Sequence, residues 1–173
     1  MEFKDVLDQR TIITHFHAKD KQEVIEVLAG SFYKAGIVAD KEQFVRDVYE
    51  RERIGVTGIG DGIAIPHGRS ESVTKPGVAI AVLEHEIAWE SLDNTGAKIV
   101  ILFAVGADNE GAMEHLKLLA MFSKRLGDNA VIQRLYKADD VQDVCDAFVE
   151  EDAEDDNSSR EEEELDFDEI QIM

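Results

Sequence analysis

The sequence is poor in several residue types, and each shortage excludes something. Its 173 residues include one cysteine, two prolines and one tryptophan. The lone Cys145 cannot form an intrachain disulfide, which favours a reducing compartment. No apolar run approaches the roughly 20 residues that cross a bilayer. Because no basic segment followed by an apolar one comes after Met1, we see no secretory signal and expect a cytoplasmic protein.

Basic residues are also scarce. The chain has 18 Lys and Arg against 38 Asp and Glu, and its formal net charge is −20. Residues 151–173 hold 12 of these acids and a single base, Arg160, so about half of the net charge lies there. The rest of the chain is still negative and would repel nucleic acid. We therefore expect no nucleic-acid partner and favour a basic protein partner.

Apolar spacing predicts strands that alternate with helices, followed by an acidic tail. Strands are predicted over 12–16, 62–66, 78–83 and 98–105, and helices over 21–35, 41–52, 111–126, 129–136 and 139–150. This order indicates an α/β domain over residues 1–150, with a mixed sheet of about five strands and helices on both faces. Residues 151–173 have the composition of a mostly disordered tail, although its last apolar residues (Leu165, Phe167, Ile170 and Ile172) suit a short docking element.

The most informative segment spans residues 57–69 and reads Thr-Gly-Ile-Gly-Asp-Gly-Ile-Ala-Ile-Pro-His-Gly-Arg. It places His67 between Pro66 and Gly68 after a short apolar strand, which predicts an exposed histidine where the chain turns away. Glycines 58, 60 and 62 precede it, and glycine N–H groups can approach an anion closely. A neutral imidazole beside an anion cradle suggests a histidine that handles a phosphoryl group. The glycine spacing fits no nucleotide-binding motif.

The other histidines are weighed against ordinary structural roles. His115 falls on an apolar helix face four residues before Leu119 and could be a core residue. However, His67 and His115 both follow predicted strands, and that edge of an α/β sheet is where ligands bind, so the two could meet. His15 and His17 could form a metal pair, but no further ligand accompanies them and a solvated edge is expected. His85 is expected in a surface turn.

Three segments carry a resemblance to a known family. Residues 62–68, Gly-Ile-Ala-Ile-Pro-His-Gly, resemble the active-site segment of the phosphotransferase-system enzyme IIA domains of the fructose/mannitol type. Arg51-Glu52, followed by Thr57-Gly58, resembles the lead-in of that family. The segment His-Leu-Lys-Leu-Leu-Ala from His115 resembles the segment with its second active-site histidine. The resemblance covers roughly residues 8–149 and leaves out the acidic tail.

The resemblance implies a phosphoryl relay in sugar uptake. His67 would accept the phosphoryl group through Nε2 from the phosphocarrier protein HPr and pass it to a cysteine of a IIB component, with a membrane permease IIC acting downstream. His115 would stabilise the phosphoryl group. Arg51, Thr57 and the backbone at Gly58 and Gly68 would supply charge and hydrogen bonds. No metal, nucleotide or other cofactor is implied.

Several alternatives stay open at this point. Arg51 could be a solvated charge paired with Glu50 or Glu52, and Thr57 could cap the loop. The whole protein could be a nitrogen-type regulatory IIA protein that controls a partner by its phosphorylation state, or a binding module in which His67 never turns over. Three further residues are given minor roles: Arg69 has little weight, Trp89 packs a loop near the site, and Cys145 is packed in the last helix without the loop of a phosphocysteine site.

Overall fold

The structure is a computed structural model that describes residues 1–149. The predicted acidic tail lies outside the described residues, as does the predicted domain boundary at Glu150. Within residues 1–149, six strands and six helices follow one another along the chain. The strands are β1 (Leu7–Phe16), β2 (Gly58–Gly60), β3 (Ile63–Ala64), β4 (His67–Arg69), β5 (Gly77–Ile87) and β6 (Ala97–Val105). The helices are α1 (Phe3–Val6), α2 (Lys21–Lys34), α3 (Lys41–Glu52), α4 (Asn109–Leu126), α5 (Asn129–Tyr136) and α6 (Val141–Val149).

Aspartate caps fix where the longer helices begin. The side chains of Asp20, Asp40 and Asp108 accept hydrogen bonds from backbone N–H groups three residues ahead, at the start of α2, α3 and α4. Such caps satisfy N–H groups that have no partner within the helix. The predicted starts of α2 and α3 are therefore confirmed, and α4 begins two residues before its predicted start.

The strands form one mixed sheet in the order β1-β5-β6-β3-β2, with β4 also paired to β6. β3 and β4 both run parallel to β6, and β5 runs antiparallel to it. The predicted strand over 62–66 corresponds to β3 alone, and β4, which was not predicted, follows it in line along β6. Pro66 lies between them, and its carbonyl accepts a hydrogen bond from the N–H of Phe103. Because proline has no N–H to donate, it marks the interruption.

The two central strands β5 and β6 are buried on both faces, as their apolar runs predict. One apolar core lies between the sheet and α4, α5 and α6, and a second lies between the sheet and α2 and α3. The expected α/β class, with helices on both faces of a mixed sheet, is therefore confirmed. Among the described residues, no helix is both long and apolar enough to cross a membrane.

Candidate functional site

His67 is the first residue of β4 and is aligned with Phe103 of β6. The two rings stack with centroids 5.5 Å apart and an interplanar angle of 15°. Only 5% of His67 is exposed, so the expectation of an exposed histidine at the end of a strand is wrong. Pairing of β4 with the central strand carries the ring into the layer between the sheet and α4.

Gly68 does not turn the chain away, because β4 continues to Arg69. Side chains alternate between the two faces of a strand, so a side chain at position 68 would face α3. That space is filled by Phe44, whose ring a Cβ at Gly68 would strike. The flanking ladder bonds, from Phe103 to Pro66 and from Ser70 to Val105, place the Gly68 N–H opposite Phe103. The expected phosphate contact from the Gly68 N–H is therefore not supported.

His115 lies in the second turn of α4 and faces His67. The ring centroids are 4.5 Å apart and the planes meet at 73°, an edge-to-face arrangement. His115 is half-buried. The two histidines therefore meet, as their positions after two strands suggested. Leu116, the next residue of α4, is 67% exposed.

Each of the two rings has one nitrogen that is buried and unpartnered. Among the described residues, neither Nδ1 of His67 nor Nε2 of His115 has a hydrogen-bond partner. Buried polar atoms are nearly always satisfied, and exceptions often mark catalytic groups. Two such atoms on facing rings indicate a site prepared for a ligand. Because Nδ1 of His67 is buried, a reactant from solvent would have to approach the other ring nitrogen, Nε2.

Burial keeps both rings neutral near pH 7. Loss of hydration lowers the pKa of His67 to about 4, helped by the positive charge of Arg51 and by repulsion from a protonated His115, while the Pro66 carbonyl acts in the opposite direction. Burial also lowers the pKa of His115, with added repulsion from Arg69 and Arg51. A neutral imidazole has a free lone pair on one nitrogen and an N–H on the other. The pair can therefore supply one nucleophile and one donor.

Arg51 lies in the last turn of α3 and is half-buried. Its Nη1 donates to the carbonyl of Gly55 at 3.1 Å. The alternative in which Arg51 pairs with a neighbouring carboxylate is not favoured, because Glu50 pairs with Arg53 and Glu52 pairs with Lys21. The guanidinium charge of Arg51 is thus left to act on the two histidines.

The Thr57 hydroxyl is committed to a buried network. It donates to Glu52 at 2.6 Å and accepts from the Trp89 indole N–H at 3.0 Å. Lys21 completes the network: its ammonium donates to Glu52 and Glu90, both at 2.8 Å, and lies 4.7 Å from the centre of the Trp89 ring. Of the two roles left open for Thr57, these bonds favour the structural one.

The glycines before His67 form a hairpin instead of an anion cradle. β2 and β3 are joined by Gly60, Asp61 and Gly62, all with positive φ. The N–H of Gly58 donates to the Glu90 carbonyl and that of Asp61 to the Asp93 carboxylate. Hydrogen bonds, chiefly from Thr95, lower the pKa of Asp93 to about 2. The expected phosphate contact at Gly58 is therefore not supported, since its N–H already donates to the Glu90 carbonyl and the Asp93 carboxylate lies at the turn of the hairpin.

The hairpin is also distant from the histidines. Ile63 is aligned with Ile99, whereas His67 is aligned with Phe103, four residues further along β6. At about 3.3 Å per residue this is about 13 Å. Glycines that precede His67 in sequence therefore do not surround it in space.

Arg69 contributes more to the site than its sequence position suggested. It lies two residues after His67 in β4, on the same face of the strand. Its Nη2 donates to the carbonyls of Ala107 and Asp108, at 3.2 and 3.3 Å, just before α4. Because no local pattern links residue 69 to residues 107–108, sequence reasoning missed this contact.

The other histidines lie outside this site. His15 pairs with Asp139, and His17 pairs with Glu84 and packs against His85, which belongs to β5 instead of a turn. In residues 1–149, no three His, Cys, Asp or Glu side chains are arranged to hold a metal ion. Cys145 is partly buried, and burial raises the pKa of its thiol.

The chain is similar to proteins of a known family. A family model for the phosphoenolpyruvate-dependent sugar phosphotransferase system, EIIA 2, matches residues 5–151. The chain is 32% identical to the fructose-specific EIIABC component of Bacillus subtilis over 154 residues, which are 88% of this chain and 24% of that protein. It thus spans about a quarter of the length of that relative.

A relative of another kind is similar over nearly its whole length. The nitrogen regulatory protein of Klebsiella oxytoca is 30% identical over 151 residues, which are 87% of this chain and 91% of that protein. Among solved structures, the complex of enzyme IIAMtl and phosphorylated enzyme IIBMtl from Escherichia coli matches with a TM-score of 0.70 and 25% identity. The match covers 82% of this chain and 96% of that one.

Proposed function

Since this chain belongs to the EIIA 2 family of the phosphoenolpyruvate-dependent sugar phosphotransferase system, we propose that it carries a phosphoryl group on His67. One observation carries the proposal: the facing rings of His67 and His115, 4.5 Å apart, each with a buried nitrogen that lacks a partner. The family is one of phosphotransferases, and this pair places a nucleophile beside a hydrogen-bond donor.

The proposed chemistry begins at Nε2 of His67. This nitrogen attacks the phosphorus of a phosphohistidine on HPr. A new N–P bond forms while the N–P bond on the carrier breaks, and the carrier imidazole keeps the electron pair. The neutral ring is ready to react because burial lowers the pKa of His67 to about 4, and stacking on Phe103 fixes its plane. Phosphoryl transfer requires positioning and charge stabilisation above all.

His115 and Arg51 stabilise the transferred group in this proposal. The unpartnered nitrogen of neutral His115 carries an N–H that donates to a phosphoryl oxygen. Arg51 adds a positive charge that reaches both histidines. Preorganised donors and charges of this kind act where negative charge develops. Thr57 is left in a supporting role, because its hydroxyl proton is donated to Glu52.

In the second half of the relay, a cysteine thiolate of a IIB component attacks the phosphorus. The P–N bond to His67 breaks and the phosphoryl group leaves on sulfur, to serve uptake of a fructose- or mannitol-type sugar through a IIC permease. Two findings support this route: the similarity to a fructose-specific EIIABC component and to the IIAMtl partner of phosphorylated IIBMtl. The relay would run in the cytoplasm and need no cofactor.

A second function is favoured by a different observation. The similarity to a nitrogen regulatory protein extends over 91% of that protein. In this alternative, His67 is phosphorylated in the same way, but the phosphorylation state changes the affinity for a regulated protein. Transfer onward to a IIB cysteine separates the two: a transport component passes its label on, and a regulator retains it.

The test is phosphoryl labelling. Incubation with labelled phosphoenolpyruvate, the first enzyme of the system and HPr should give one acid-labile label per chain. His67→Ala should abolish the label, whereas His85→Ala, at an exposed histidine outside the site, should retain it. Equal labelling of His67→Ala and the parent protein would overturn the assignment.

A further inference from the structure

We propose that Arg69 is a positioning residue for the histidine pair: its guanidinium binds the carbonyls of Ala107 and Asp108 and so holds the start of α4, and with it His115, against His67. This inference rests on the proposed function of the pair. It assigns a role to Arg69, to which the sequence alone gave little importance.

Two parts of the backbone hold the histidines in place. His67 is held by the register of β4 on β6, and His115 is held by the turn that leads from β6 into α4. That turn is tight, because a Cβ at Gly111 would strike the backbone of Gly106. The ring separation therefore depends on the angle at which α4 leaves the sheet.

Among the described residues of β4, Arg69 is the one whose side chain forms hydrogen bonds to the segment just before α4. It shares a strand face with His67, and its Nη2 reaches the two carbonyls that precede Asn109, the first residue of α4. These bonds join the strand that carries one histidine to the helix that carries the other. Because the contacts lie fewer than two turns before His115, a tilt of the first turn of α4 would move that ring directly.

The position of Arg69 also places a positive charge near His115, in addition to Arg51. This charge favours the neutral ring of His115. Geometry and charge act in the same direction, so loss of the side chain should affect both the transfer rate and the titration of His115.

The experiment compares Arg69→Met, which keeps an unbranched side chain without charge or donor, with Arg69→Lys, which keeps both. Arg10→Gln is the matched control, because Arg10 lies on β1 at the other edge of the sheet and pairs with Asp8. At saturating phosphorylated HPr, we expect Arg69→Met to lower kcat about 10- to 100-fold, as a misplacement of about 1 Å can do. Arg69→Lys should stay within about threefold of the parent protein.

A double-mutant cycle separates positioning of His115 from other roles. In a His115→Ala background, Arg69→Met should change kcat by less than about threefold, because the ring to be positioned is gone. An equal loss of kcat in both backgrounds would overturn the inference. A parent-like kcat in Arg69→Met would also overturn it, and so would a kcat in Arg69→Lys as low as that of Arg69→Met.

Titration of His115 by NMR in the unphosphorylated protein gives a readout that needs no partner. The pKa of His115 should rise in Arg69→Met and stay near the parent value in Arg69→Lys. An unchanged titration in Arg69→Met would contradict the inference even if the protein accepts no phosphoryl group. Failure of the parent protein to accept label would instead contradict the proposed function, so the two failures are distinguishable.

Discussion

The imidazole rings of His67 and His115 meet edge to face, with centroids 4.5 Å apart, although they come from a strand and a helix on different parts of the chain. The register of β4 on β6 and the short connection from β6 to α4 bring them together. Nδ1 of His67 and Nε2 of His115 are both buried and, among the described residues, both lack a hydrogen-bond partner. In the proposed relay, His67 accepts the phosphoryl group and His115 donates a hydrogen bond to it.

The first prediction concerns His115. Replacement by Ala should lower kcat for phosphoryl transfer about 10²- to 10³-fold, the usual loss for one preorganised donor to developing charge. The fold should persist, because His115 is only half-buried. Ser123→Ala, at an exposed position of the same helix, should transfer at the parent rate. Parent-like transfer by a folded His115→Ala would mean that His115 is only a packing residue.

The second prediction concerns the pH dependence of stability. The pKa of His67 is about 4 in the folded protein and 6.5 in an ordinary environment. As the pH falls through this window, the unfolded chain binds the proton first, so His67 lowers the free energy of unfolding. Above pH about 6.5 this loss is absent. Between pH 7 and pH 4.5 it amounts to about 2 kcal/mol.

Urea unfolding of the parent protein and of His67→Gln at the two pH values measures this difference. The glutamine variant lacks the titrating ring, so its stability should fall less on acidification. His115 is present in both proteins and its contribution largely cancels. Parallel loss of stability in the two proteins would show that His67 titrates normally in the folded state.

The helical part of the fold could be predicted from the sequence because its signals are local. Apolar residues at helical spacing predicted helices from residues 21 and 41, and Asp20 and Asp40 cap α2 and α3 at those starts. The buried runs of β5 and β6 were equally clear. Among the strands, β2 and β4 were missed, because three-residue segments carry too little pattern to stand out.

Long-range pairing explains what the sequence could not reveal. Pro66 and Gly68 beside His67 indicated an exposed turn, yet pairing with β6 buries the ring. Glu52 was matched with its neighbour Arg51, but it binds Lys21 and Thr57. In both cases the residue is held by a partner from another element, which its neighbours in the sequence do not reveal.

The third prediction concerns Thr57. Thr57→Val removes a hydroxyl that serves both Glu52 and the Trp89 indole, so the buried indole N–H loses its partner and Glu52 keeps only its bond from Lys21. We expect a loss of about 1–3 kcal/mol in the free energy of unfolding, with kcat at saturating HPr within a few-fold of the parent. Thr57→Ser, which keeps the hydroxyl, should restore most of the stability. A stable Thr57→Val with kcat lowered about 10²-fold would indicate a phosphate donor instead.

The fourth prediction concerns residues 151–173, which lie outside the described residues. They carry 12 acids and one base, and the match to the family model ends at residue 151. Their deletion should leave kcat nearly unchanged. It should weaken association with a basic partner at low ionic strength, and the difference should vanish in high salt, where charges are screened within about 8 Å or less. A melting temperature lowered by several degrees would show that the domain boundary was drawn too early.

The identity of the phosphorylated nitrogen tests the account most directly. Nitrogen–phosphorus coupling in the NMR spectrum of the phosphorylated, 15N-labelled protein identifies the residue and the ring atom that carry the phosphoryl group. We predict that Nε2 of His67 carries the phosphoryl group, because Nδ1 of that ring is buried. A phosphoryl group on Nδ1 of His67, on His115 or on any other residue would contradict it.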